Sequence, residues 1–120
     1  MIQCIIVGAG GFIGSVLRYL AGLLPVSPEN GFPIKTFGIN MLGAFVIGMV
    51  AALAAKHQMH PKLILFLKVG VCGGFTTFSS FALETDQLLA KGNTAVAVLY
   101  VTGSIVCGVL AVILAQRIAG

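Results

Sequence analysis

An all-helical membrane protein of four spans is the fold class this sequence predicts, and three observations predict it. Only 8% of the 120 residues are charged while 58% are hydrophobic, against about a quarter charged in an average soluble domain. A soluble chain this small has a large surface for its volume, and three acids, seven bases and two histidines cannot wet it. Four apolar stretches each reach the length of about 20 residues that a helix needs to cross the hydrocarbon core. The mean hydropathy of +1.09 excludes disorder as well, which requires low hydrophobicity and high charge. The partner covering most of this surface is therefore the lipid bilayer.

The first span runs from about 2 to 24 and is interrupted only by Arg18. No basic segment precedes it, so it reads as a permanent span and not as a signal peptide. Pro25, Pro28, Gly31 and Pro33 then punctuate a loop. The second span runs from about 36 to 55 and ends at the polar turn Lys56–Lys62. The third, about 63 to 89, has Lys68 near its start and Glu84 and Asp86 near its end. Lys91, Gly92 and Asn93 turn the chain into the fourth span, about 95 to 118, which has no charge before Arg117. Residues 1–120 form one membrane domain in this reading.

Four spans place both termini and the central turn on one side, with Lys56, Lys62, Lys68 and Arg117. The other side holds Arg18, Lys35 and Lys91. Helices orient by an excess of Lys and Arg in short loops, and four against three is almost no excess. Either the chain inserts both ways up and pairs with an inverted copy, as inverted repeats do in transporters, or features other than charge fix one orientation. Small-xxx-small spacings at Gly10/Gly14, Ala44/Gly48, Gly70/Gly74 and Ser104/Gly108 allow close helix approach in lipid. That approach serves packing within one chain or between two.

Several functions lack their apparatus. The net charge is +4, but the bases are scattered, so no nucleic-acid surface is present. Cys4, Cys72 and Cys107 lie in apolar stretches and read as buried free thiols. His57 and His60 share a turn without a third metal ligand. The segment from Gly8 to Gly14 imitates a dinucleotide-binding turn, but Ile13 occupies the position of its last required glycine. No nucleophile–base pairing is visible, so the chain is not read as an enzyme.

Polar groups inside spans are costly and so point to function. The densest cluster is in the third span: Gly70-Val71-Cys72-Gly73-Gly74-Phe75-Thr76-Thr77-Phe78-Ser79-Ser80-Phe81. Glycine costs about 1 kcal/mol at a helix position, and Ser and Thr compete for backbone hydrogen bonds. One reading is a helix broken at the midplane, whose freed carbonyls suit a cation and whose N–H groups and hydroxyls suit an anion. The other is an unbroken helix with a small-residue packing face. Asn40 in the second span needs a partner, either a neighbouring helix or a permeating ion, and Thr36 lies one turn before it on the same face. Tyr100 and Ser104 repeat this spacing in the fourth span, although Tyr100 also reads as an interfacial anchor. Phe78 and Phe81 offer positive ring edges to an anion, or simple packing. Arg18 either snorkels to the interface or draws anions to a pore mouth. Glu84 lies one turn after Ser80, where it is either solvated or hydrogen-bonded to hydroxyls.

Three motifs resemble one family over essentially the whole chain. They are Gly10-Gly11-Phe12-Ile13-Gly14-Ser15-Val16-Leu17-Arg18-Tyr19, then Thr36-Phe37-Gly38-Ile39-Asn40-Met41-Leu42-Gly43, and the Gly70–Phe81 segment. They resemble the small dual-topology fluoride channels of bacteria, the Fluc or CrcB-type proteins. The resemblance implies an antiparallel homodimer in the bacterial inner membrane that lets fluoride leave the cell passively. It implies a structural sodium ion (Na+) at the dimer interface, held by backbone carbonyls of Gly73 and Thr76 from both subunits. It places Asn40, Phe78, Ser80, Phe81, Tyr100 and Ser104 along the fluoride pore. Arg18, Thr36, Thr77, Ser79 and Glu84 fall at its mouth or support it. Lys35, Phe37 and Gly108 depart from the family's usual residues. Two rivals remain: a proton-coupled small multidrug-type exporter, which needs an acid that the first two spans lack, and a non-selective membrane oligomer, which needs no polar cluster.

Overall fold

The computed structural model describes residues 1–120, all of them helix or short connections. Helix α1 covers Ile2–Gly22 and α2 covers Ile34–Lys56. The third apolar stretch is composite. It opens with α3 (Pro61–Ile64), widens into a π-helical segment (Leu65–Cys72), and returns to one α turn, α4 (Gly73–Phe75). Helix α5 (Phe78–Ala90) follows, and α6 (Thr94–Ala119) completes the chain. Between α4 and α5, Thr76 (ψ 156°) and Thr77 (φ −146°, ψ 120°) are extended. Four helical stretches are long and apolar enough to cross a membrane: Ile2–Gly22, Ile34–Lys56, Pro61–Ala90 and Thr94–Ala119. Their ends fall within two residues of the sequence-based spans.

Local chemistry sets the ends. His60 caps α3: its Nδ1 accepts from the Lys62 N–H at 3.1 Å, and Pro61 supplies the preset φ of a first helical residue. Thr77 caps α5, its Oγ1 accepting the Ser80 N–H at 3.2 Å. Gly92 takes φ 78° to turn the chain into α6. At that end the Asn93 amide donates to the Asn30 carbonyl at 2.9 Å, joining the first and third connections. At the other end Lys56 Nζ donates to the Gly120 carbonyl at 3.3 Å. The connections thus alternate between two ends of a molecule 49 Å long, about the thickness of a bilayer with its headgroups.

Packing divides the bundle into two pairs. Helix α1 lies against the π segment and α4, while α2 lies along α6. Helix α5 leaves the first pair and packs on α6, so the extended residues Thr76 and Thr77 carry the chain from one pair to the other. The first seam is made of glycines. A Cβ on Gly10 would stand 2.8 Å from Gly70 Cα, and one on Gly74 would stand 2.6 Å from Gly11 O. The spacings Gly10/Gly14 and Gly70/Gly74 are therefore spent on contact within one chain. Gly48 makes the corresponding approach to α6, 2.8 Å from Val112 O.

Little of the chain is turned inward. Its accessible surface is 7383 Å², against about 6,100 Å² for a compact soluble monomer of this mass. The outer faces of α1 and α6 carry exposed Ile, Leu, Val and Phe side chains, as helices solvated by lipid do. Cys4 and Cys107 lie on such faces and are exposed, and only Cys72 is buried. The expectation of three buried thiols is corrected there: in a lipid-facing helix an apolar neighbourhood does not mean an inward one.

Candidate functional site

The site is built around the extended pair. A continuous helix would send the Thr77 N–H to the Gly73 carbonyl and the Ser80 N–H to the Thr76 carbonyl. Here the Thr77 N–H donates to Asn40 Oδ1 at 2.8 Å, and the Ser80 N–H goes to Thr77 Oγ1. The Asn40 amide returns the contact, Nδ2 donating to the Thr77 carbonyl at 3.1 Å. One side chain on α2 thereby satisfies both backbone groups of one extended residue. Such groups cost several kcal/mol each when left unpaired in hydrocarbon. Arg18 on α1 serves the other side of the step, its Nε donating to the Gly74 carbonyl at 3.1 Å. Thr76 Oγ1 folds back to the Cys72 carbonyl at 2.9 Å. The N–H groups that would serve the Gly73 and Thr76 carbonyls in a continuous helix are thus diverted, and the Gly74 carbonyl is served from α1 instead.

A second polar cluster lies beside the first. Glu84 on α5 accepts two hydroxyl protons, from Thr36 Oγ1 to Oε2 and from the Tyr100 hydroxyl to Oε1, both at 2.7 Å. Tyr100 is 0% exposed, wedged edge-on between Phe32 (centroids 5.4 Å) and Phe81 (5.0 Å). Its burial excludes the interfacial-anchor reading. Phe81 in turn stands 5.9 Å from Phe78, which is 79% exposed on the single chain.

Two cavities flank this region and share Thr77. A mouth cavity of about 390 Å³ is lined by Arg18, Lys35, Thr36, Ser80 and Glu84 among others. A groove of about 450 Å³ on the other side holds Asn40, Phe78, Phe81 and Ser104, with Gly73 and Thr76 along it. Ser104 Oγ is buried and has no hydrogen-bond partner. The anticipated residues are therefore brought together but sorted. Asn40, Phe78, Phe81 and Ser104 share the groove, while Ser80 joins Arg18, Thr36 and Glu84 at the mouth. Tyr100 lines neither cavity, its hydroxyl donating a hydrogen bond to the Glu84 carboxylate behind the wall. Ser79 is exposed and lines neither cavity. Gly108 lines the groove beside Met41.

Sequence reasoning passed over one lining residue. Lys68, a charge near the start of the third span, lines the groove with Asn40 and Ser104. Its depth in an apolar run was the signal. Thr77 thus lines both cavities, with Arg18, Lys35 and Glu84 along the first, Lys68 along the second, and the Ser104 hydroxyl uncommitted.

Comparison with known proteins gives a consistent result. A family model described as "CrcB-like protein, Camphor Resistance (CrcB)" matches residues 5–116. The chain is 46% identical over 109 residues to a protein of Chlorobaculum tepidum named "Fluoride-specific ion channel FluC", covering 90% of this chain and 86% of that one. Proteins of the same name from Chlorobium phaeobacteroides (40% over 116 residues; 96% and 91% covered) and Novosphingobium aromaticivorans (44% over 115 residues; 93% and 91% covered) are similarly close.

Proposed function

The chain belongs to the CrcB-like family, and from that premise we propose how it works: it is a fluoride-specific ion channel, a multi-pass membrane protein and not an enzyme. It lets fluoride leave a bacterial cell passively across the inner membrane. The observation that carries the pore assignment is the Asn40 clamp on Thr77 between two cavities. Fluoride is small and strongly hydrated, so a pore has to replace its water with hydrogen-bond donors. The Arg18 guanidinium and the Ser80 hydroxyl meet the ion at the mouth. The Asn40 amide has two N–H groups and spends one on Thr77, leaving one for the ion. The edges of Phe78 and Phe81 and the unpartnered Ser104 hydroxyl continue the path. Tyr100 and Thr36 fix Glu84, which keeps that carboxylate from facing the anion with both oxygens free.

The working unit in this proposal is an antiparallel homodimer of chains inserted in opposite orientations. Support comes from the near-even split of the bases, four against three, and from the large uncovered apolar surface that includes Phe78. The third stretch is broken near the midplane at Thr76 and Thr77. A structural sodium fits this step, because the Gly73 and Thr76 carbonyls have lost their helical donors and Gly73 lies on an exposed face. Two such oxygens from each subunit would hold it, and the ion would balance carbonyl dipoles turned toward the dimer axis. A proton-coupled exporter is disfavoured because the only acid lining the route, Glu84, is occupied by Thr36 and Tyr100.

The test replaces the rings. Phe78→Ile and Phe81→Ile keep apolar bulk but remove the positive edge, so each should slow fluoride efflux from liposomes by one to two orders of magnitude, on the order of 1.4–2.8 kcal/mol, while the dimer elutes unchanged. Unchanged flux in both variants would remove the phenyl-edge path.

A further inference from the structure

Lys68 is the only charged residue along the groove, and no carboxylate shares that space with it. It stands in the π segment, seven residues beyond Pro61, which is about 10 Å of helical rise from the start of the stretch. A lysine at that depth in a span is costly and faces either an interface or a polar cavity. The groove is mostly apolar, but Asn40, Thr76 and Ser104 line it, and the Ser104 hydroxyl is buried without a partner. Arg18 occupies the other cavity, reached from the opposite end of the bundle because α1 ends where the third stretch also ends. Thr77 lines both cavities. A route with a cation at each end and neutral donors between is suited to an anion arriving from either side.

We propose that Lys68 is a second anion-capturing residue, placed at the groove end of the pore as Arg18 is at its mouth. It raises the local anion concentration in a cleft with low-dielectric walls and passes the ion to the Ser104 hydroxyl and the free Asn40 N–H. Lys68 and Cys72, four residues apart on one helical face, line the groove, while Gly70 on the opposite face is pressed on Gly10.

This inference rests on the channel reading, and the experiment separates the two. Fluoride efflux is followed with an ion-selective electrode in liposomes holding the full chain, at low and at high concentrations of an inert salt. Lys68→Met should lower the initial rate roughly tenfold at low ionic strength. Lys68→Arg should retain most of it, and salt should bring the unaltered protein down toward the Met variant by screening. Lys68→Gln serves as a second uncharged variant, with elution volume as the folding check for each. An uncharged variant with the full rate and the same salt dependence overturns the inference while the channel stands, as does loss of rate in Lys68→Arg. No fluoride flux through the unaltered protein overturns the channel reading and this inference with it.

Discussion

An asparagine amide carries two donor protons and an accepting oxygen, and Asn40 spends one proton and the oxygen on a single residue, Thr77. In the proposed pore its role is therefore double: it supports the extended backbone and leaves one proton for the ion. Asn40→Ala strands an N–H and a carbonyl in an apolar surround, at about 1–3 kcal/mol for each unsatisfied group. The expected outcome is a lower unfolding midpoint in detergent together with loss of fluoride flux. Normal conduction by this variant would remove the ion-binding task, and an unchanged midpoint would remove the supporting one. Tyr100 teaches the complementary lesson. Its spacing to Ser104 suggested a shared track, but spacing along a helix says nothing of what stands opposite, and Glu84 sits at 2.7 Å from its hydroxyl.

At the scale of elements, the seam between α1 and the third stretch depends on missing side chains. A Cβ on Gly14 would lie 2.8 Å from Phe75 N, whereas one on Gly8 would meet nothing within 4 Å. Gly14→Ala should therefore cost about 1–3 kcal/mol, the usual penalty for overpacking, while Gly8→Ala leaves thermal stability in detergent unchanged. Equal stability of the two variants would contradict the seam. Much of this level is legible in the sequence, since apolar runs and Pro or Gly punctuation mark the spans to within two residues. The Gly-Gly and hydroxyl cluster draws attention to the segment where Thr76 and Thr77 are extended. The π segment was not legible, because Leu65–Val69 carries the same apolar pattern whether its turns close at four residues or at five.

For the whole molecule, scarcity of charge is the organising fact. With 8% of residues charged, the bundle leaves apolar surface to lipid and, in the proposed assembly, to an inverted copy. In the proposed pore it keeps neutral donors along the path, with Arg18 and Lys68 in the two flanking cavities. Composition and hydropathy disclose the membrane class, but how one chain meets another is a matter of surface shape, and no local pattern encodes it. Neutral donors in a narrow, partly aromatic path discriminate by the cost of dehydration and by fit, so a larger halide should be refused. The decisive measurement is paired efflux of fluoride and chloride from liposomes containing the purified protein. The account predicts rapid passive loss of fluoride, without a proton gradient, and retention of chloride. Equal loss of both ions, or retention of both, would contradict it.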